Sequence, residues 1–368
     1  MISSSGRYYY GLDGLRGILM LVGVLWHTVG IVSPLSTFVY DSPHHKSLAL
    51  YALVYPEHLF RMEAFFLVSG FLSQMVLMRK GKSAFWRARI KRVLVPLLLG
   101  CFGVNLLLQI FGSLYMGYLW SNFDMWRWVM HGWFLITLLM CALIDMALPR
   151  EAMARTGYLG GLLVAVIAVV GYVALNYWNA HAWHFWDPIK GNLFNFFVLN
   201  TVQFWPCYAV GALLYHHQER LWHIRPRTLW IIGVLAGTAA LLLYLTSLKF
   251  MPPFAHDMWY APLLYRTLHL LNAMGIAFLL FVWCYRRTRE NGSVVRYLIA
   301  SAMVVYLVHH PLVIIFGWAL DDPALSNVSY FLLVTAATFV ASFACFELIR
   351  RVGWLRFAFG LPQGKFAR

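Results

Sequence analysis

Charge is what this 368-residue chain lacks most: only 12% of it is Asp, Glu, Lys or Arg, while 61% is apolar. Soluble domains average about 25% charged and about 45–50% apolar, so an ordinary soluble enzyme is excluded. Acids are scarcer than bases, 14 against 29, for a formal net charge of +15. Alone, that excess would suggest nucleic acid, but in a multispanning protein basic residues chiefly set orientation, and no nucleic-acid partner is expected. Cysteine is sparse too, and Cys101, Cys141, Cys207, Cys284 and Cys345 all fall inside apolar runs with no CxxC spacing. They read as small apolar packing residues. No metal-ligand spacing such as H-E-x-x-H occurs among the 14 histidines, so no metal is expected. Internal repeats and low-complexity tracts are absent as well. Asp13 and Arg16 interrupt the first apolar stretch, which is therefore a retained span rather than a cleaved signal.

What the chain does hold is apolar runs of bilayer length. They fall near 11–33, 49–78, 93–115, 126–148, 158–178, 193–215, 228–249, 262–285, 293–320 and 328–350. The expected fold is an all-α, polytopic integral membrane protein of about ten transmembrane helices, forming one membrane-embedded domain over residues 1–368. Of the 29 basic residues, 22 lie at the ends or in alternate loops, seven of them in 79–92, whereas the other loops hold Asp41, Glu57, Asp124, Asp187, Asp257, Asp321 and Asp322. The positive-inside rule places both termini in the cytoplasm, the 79–92 loop with them and the 177–190 loop opposite.

Ionisable groups within spans are costly, and each is a candidate for function. Arg16 and His27 share the first span. Eleven residues bring them onto one helix face, about 20° past three turns and roughly 16 Å apart. Arg16 is near enough to the end to snorkel, but His27 is not. Imidazole exchanges protons near neutral pH, so a general base at His27 is set against a structural, hydrogen-bonded histidine. Arg61 and Glu63 occupy FRMEAFFLVSGF (residues 60–71), two residues apart and so on different faces, with partners expected on other helices. Ser69 and Gly70 in that motif read as close helix packing, because Ser69 lacks the G-x-S-x-G setting of a nucleophile.

His131 opens HGWFL, and Tyr306, His309 and His310 lie in VYLVHHPL. Adjacent histidines project about 100° apart, so His309 and His310 do not both face one site squarely and one is expected to be structural. Glu347 is expected to pair with an arginine. Arg89 and Arg92, in FWRARIKRVLVP (residues 85–96), are i, i+3 neighbours on a helix. Such a patch suits an anion carrying several phosphates, and equally a topology determinant touching acidic lipid. The stretch YWNAHAWHFWD (residues 177–187) is an aromatic belt or, through Trp178, Trp183 and Trp186, a stacking platform for a sugar.

Together, YYYGLDGLRGILMLVGVLWH with Arg16 and His27, FFLVSG at 65–70, the arginine-rich stretch ending at Pro96, HGWFL and YLVHHP resemble the membrane-bound acyltransferase-3 family from about residue 8 to about 350. Within it, the motifs are most similar to those of members that succinylate osmoregulated periplasmic glucans. The resemblance implies a ten-helix bacterial inner-membrane enzyme that takes an acyl group from cytoplasmic acyl-CoA and places it on a sugar hydroxyl at the outer side. The donor would be succinyl-CoA or acetyl-CoA, used as a substrate rather than a tightly bound cofactor. The partners it implies are a periplasmic glucan or other glycan, membrane lipids and glucan-synthesis proteins. It gives His27 the role of catalytic base or acyl-handling residue, Arg16 that of its partner, and the arginines before Pro96 the CoA phosphates. His131, Tyr306, His309 and His310 fall on family motifs without an assigned role. The alternatives are O-acetylation of another surface polysaccharide or lipid-linked sugar and, in a different class, a secondary transporter or flippase.

Overall fold

The computed structural model describes residues 8–35, 40–115, 129–147, 150–178, 193–248, 261–287 and 289–362. Among them there is no strand. Among the described residues, eight helical stretches are long and apolar enough to cross a membrane, beginning with α1 (Tyr10–Val32), so the all-α polytopic architecture holds. One of the eight, Leu48–Tyr115, runs through both the 49–78 and the 93–115 stretches. The 158–178 stretch lies in the helix Arg150–Trp178.

The long second stretch is not one straight helix. It consists of α2 (Leu48–His58), α3 (Arg61–Arg89), a π-helical turn Ile90–Leu94, α4 (Val95–Leu99), a second π turn Gly100–Val104, and α5 (Asn105–Tyr115). Pro56 sits near the end of α2, where its missing N–H weakens the last turn. Gly81, at φ 76°, kinks α3 in the left-handed region that glycine tolerates. Residues 82–89, expected in a loop, are therefore helical. Lys, Arg and Ala are strong helix formers, so their charge marks where the helix leaves lipid and not where it ends.

The remaining helices are α6 (Trp133–Ala147), α7 (Arg150–Trp178), α8 (Leu193–His216), α9 (Pro226–Ser247), α10 (Ala261–Arg286), α11 (Ser293–Ala319), α12 (Asn327–Ile349) and the short α13 (Gly353–Ala358). Local chemistry marks several starts. Pro226 occupies the first turn of α9. The Ser326 hydroxyl accepts from the Ser329 N–H at 3.0 Å to cap α12.

The chain divides into two compact units. The first comprises Met1–Arg16, His58–Trp86 and Thr137–Gly292. Its tightest packing is backbone on backbone: a Cβ at Gly70 of α3 would lie 1.9 Å from the Tyr208 carbonyl oxygen, and one at Gly211 of α8 would lie 2.0 Å from that of Leu67. The two helices touch through reciprocal glycines, the close packing expected of Ser69–Gly70. The break between α2 and α3 exposes the Leu59 carbonyl, and the fully buried Asn272 amide of α10 donates to it at 2.9 Å. In lipid, a helix break survives only where a neighbour satisfies the freed backbone.

The second unit comprises Gly17–Glu57, Arg87–Ile136 and Ser293–Arg368. Here Trp26 of α1 packs on Tyr51 and Tyr55 of α2, with ring centroids 5.9 and 6.1 Å apart. The π-containing segment lies against α11, where a Cβ at Gly100 would be 3.0 Å from Leu307 Cδ2. After α13 the chain folds back so closely that a Cβ at Gly360 would be 2.7 Å from Pro96 Cγ and 3.2 Å from Arg92 Cα.

Candidate active site

Four histidines converge in the second unit. The His27 ring lies 5.0 Å from that of His309, 4.7 Å from that of His310 and 6.5 Å from that of His131, centroid to centroid. His131 is in turn 5.3 Å from His309 and stacks on His310 at 5.0 Å and 21°. Their divergence along α11 leaves the rings of His309 and His310 6.5 Å apart, with their planes at 90°. It does not retire either one, because His27 occupies the angle between them. His131, His309 and His310 are buried, and His27 is half-buried. Among the described residues, no group of three or more His, Cys, Asp or Glu side chains has metal-binding geometry.

Local backbone places each ring. His27 lies about three-quarters of the way along α1. His131 is carried by a 3-10 turn, Met130–Gly132, whose Met130 is at φ 41°. A non-glycine residue there costs of order 1–3 kcal/mol, offset in this case by tertiary contacts. The Met130 side chain packs with Leu108 and Ile314, and the Tyr306 hydroxyl donates to the His131 carbonyl. Tyr306 thus holds the turn that presents His131. The His131 ring lies beside the Tyr306 and Leu307 carbonyls, while neither of its nitrogens completes a hydrogen bond with a described residue. Pro311, four residues after Leu307, has no N–H to give that carbonyl. His309 Nδ1 donates to the carbonyls of Tyr306 and Val305, at 2.7 and 3.0 Å.

The other candidates lie elsewhere on the chain. Arg16, on the same helix as His27 but in the first unit, forms a 2.7 Å ion pair with Asp13. Tyr8, ahead of the helix, donates to the other Asp13 oxygen at 2.6 Å, and burial together with that carboxylate holds its phenol above the usual range. Arg61 and Glu63 also belong to the first unit. Glu63 is buried, with His269 Nε2 of α10 at 3.7 Å from its Oε1, a partner on another helix as expected. Arg266, one turn before His269 and 3% exposed, donates to the Gln203 carbonyl at 3.4 Å. This pair was legible as two ionisable residues at i, i+3 within an apolar run, but no motif drew attention to it. Glu347 pairs with Arg350 at 2.6 Å, as expected.

Arg89 ends α3 and Arg92 lies in the π turn that follows. The expected i, i+3 pair therefore falls at the junction of an α-helical and a π-helical turn. Arg92 is exposed and Arg89 half-buried. Trp183 and Trp186 lie outside the described residues, and Trp178 closes α7 without a described side chain.

Comparison with known proteins matches this architecture. A family model described as an acyltransferase domain, Acyl_transf_3, covers residues 9–347. Relatives named glucans biosynthesis protein C, from Salmonella agona, Salmonella typhi and Salmonella typhimurium, are each 26% identical over 390 residues, spanning 97% of this chain and 96% of the relative. No solved structure matches. A helical membrane chain whose motif residues meet in one histidine cluster, and whose residues 9–347 fit that model, belongs to the acyltransferase-3 family.

Proposed function

We propose that this acyltransferase moves a succinyl group from cytoplasmic succinyl-CoA to sugar hydroxyls of a periplasmic glucan, working in the inner membrane as one membrane-embedded domain. The observation that carries the reading is the convergence of His131, His309 and His310 on His27. The relatives named for glucan biosynthesis support the acceptor class. A thioester is already activated, so the reaction needs mainly a proton acceptor for the sugar hydroxyl and a donor or cation for the tetrahedral oxyanion. Four imidazoles offer both roles, with His27 as base or as the residue that handles the acyl group. Arg16 completes the arginine–histidine face of α1. Trp178, Trp183 and Trp186 provide aromatic faces for the acceptor sugar, and glucan-synthesis proteins deliver it. The test is purified protein in vesicles with labelled succinyl-CoA or acetyl-CoA and glucan. Succinyl label on glucan is expected. Acetyl label on another glycan overturns the succinyl–glucan assignment, and transport without acyl transfer overturns the enzyme.

Orientation follows from the 22 basic residues on one side. A single cysteine placed at Ser83 should resist an impermeant thiol reagent added outside intact cells. Strong labelling there reverses the topology.

Arg89 and Arg92 hold the phosphates of the donor, since guanidinium presents fixed donors to phosphate oxygens. Reversing both charges should raise the apparent donor KM several-fold and leave acceptor dependence nearly unchanged. An unaltered donor KM in correctly inserted protein leaves these arginines only a topological role.

A further inference from the structure

Four imidazoles in one cluster raise the question of which nitrogen takes the proton, and the backbone of α11 answers it for one ring. His309 Nδ1 lies 2.7 Å from the Tyr306 carbonyl oxygen and 3.0 Å from that of Val305. A carbonyl oxygen only accepts, so Nδ1 must carry the hydrogen in both contacts. A neutral imidazole protonated at Nδ1 holds its lone pair on Nε2. Both carbonyls belong to the preceding turn of the same helix, three and four residues back, so the ring is anchored by rigid backbone. The ring is 1% exposed, which makes a change of tautomer dependent on breaking two buried contacts. Nδ1 faces its own helix, and the His27 and His131 centroids lie 5.0 and 5.3 Å from that of the His309 ring.

We propose that His309 is the proton acceptor of the cluster, acting through Nε2 in a tautomer locked by the Tyr306 and Val305 carbonyls. The proposal rests on the acyl-transfer reading above and divides its chemistry. The acceptor hydroxyl oxygen forms a bond to the thioester carbonyl carbon while its proton passes to His309 Nε2. The C–S bond then breaks with its electron pair on sulfur, and the resulting imidazolium returns the proton to the thiolate, leaving ester and free thiol. Hydrogen bonds from Nδ1–H to two carbonyls stabilise that imidazolium as it forms, in the manner of an orienting partner behind a catalytic histidine. Tyr306 contributes twice: its carbonyl orients His309, and its hydroxyl holds the His131 turn. His27, half-buried and flanked by three rings, is left the oxyanion or acyl-handling role.

His309→Asn separates the base from its anchor. The asparagine amide can still donate to the backbone carbonyls but has no imidazole nitrogen to accept a proton. In vesicles with labelled succinyl-CoA and glucan, it should accumulate like the wild type and transfer about 10²–10⁴-fold more slowly, the usual loss for a general base. Histidine-selective 15N NMR of the wild-type chain in lipid discs, assigned by the loss of one ring in this variant, should show His309 with a protonated Nδ1 and an unprotonated Nε2. Wild-type transfer by His309→Asn, or a spectrum with hydrogen on Nε2 and none on Nδ1, overturns the base assignment and leaves the acyltransferase reading standing. A wild-type chain that transfers no acyl group from succinyl-CoA or acetyl-CoA overturns that reading, and the base role with it. If His309→Asn fails to accumulate, His309→Gln, which likewise lacks an imidazole nitrogen, supplies both the transfer rate and the NMR assignment.

Discussion

Cells carrying His27→Ala as their only copy are expected to make glucan without its succinyl groups, at normal abundance of the protein in the membrane fraction. His27 is the ring about which His131, His309 and His310 are arranged, at 6.5, 5.0 and 4.7 Å. It is also more open than those three. Removing a general acid–base group typically costs about 10²–10⁴ in rate. Removing a residue that handles the acyl group or its oxyanion costs more, because the transition state then also loses the stabilisation of its developing charge. Packing is disturbed far less. Trp26 still anchors α1 on Tyr51 and Tyr55, and the half-buried position leaves little volume to fill after truncation. The measurement is the anionic fraction of extracted glucan, with protein level followed in parallel. Normal succinylation at normal abundance would exclude His27 from the chemistry. If neither the intact chain nor the variant alters glucan charge while acetyl label reaches another surface sugar, the family holds and the glucan assignment falls.

The second large effect falls on stability. Gly70→Val should remove most folded protein from the membrane, because its Cβ would sit 1.9 Å from the Tyr208 carbonyl oxygen, deep inside van der Waals contact. Relief requires α3 and α8 to separate along their whole crossing, and the reciprocal approach of Gly211 to Leu67 would open with it. Overpacking costs about 1–3 kcal/mol where side chains can yield. Here the obstacle is backbone, so a loss at or above the upper end of that range is expected. Gly237→Ala in α9 is the control: nothing lies within 4 Å of its added Cβ, and alanine favours helix over glycine by about 1 kcal/mol. Thermal unfolding in detergent compares the two. A Gly70→Val protein that melts with the wild type would show that α3 and α8 do not need this contact.

Part of this site is legible in the sequence. Arg16, His27, His131, His309 and His310 stand out because imidazole and guanidinium are rare in runs that must sit in lipid, where each needs a partner or a purpose. The i, i+3 pair Arg266 and His269 meets the same criterion but lies in no motif, and only the fold sets His269 beside Glu63. Helix breaks were less legible. Pro56 was visible, but the interruption between His58 and Arg61 depends on Asn272, more than 200 positions away, to satisfy the Leu59 carbonyl. The two π turns flanking α4 left no sign in the apolar pattern, since one extra residue per turn shifts the pattern no more than an ordinary irregularity.

Composition and the length of the apolar runs by themselves determined that this is a helical membrane protein, because burial in lipid demands closed backbone hydrogen bonding over about 20 residues at a time. Residue type in those runs also determined which side chains were candidates for chemistry. The tertiary structure alone decided which of them meet. Helical spacing fixes directions only within one helix, whereas the cluster draws His27 from α1, His131 from a strained 3-10 turn, and His309 and His310 from α11. It decided as well that two adjacent histidines both flank a third, since a ring placed in the angle between diverging side chains is reached by each. The tautomer of His309, too, is set by carbonyls whose orientation exists only once α11 is formed and packed.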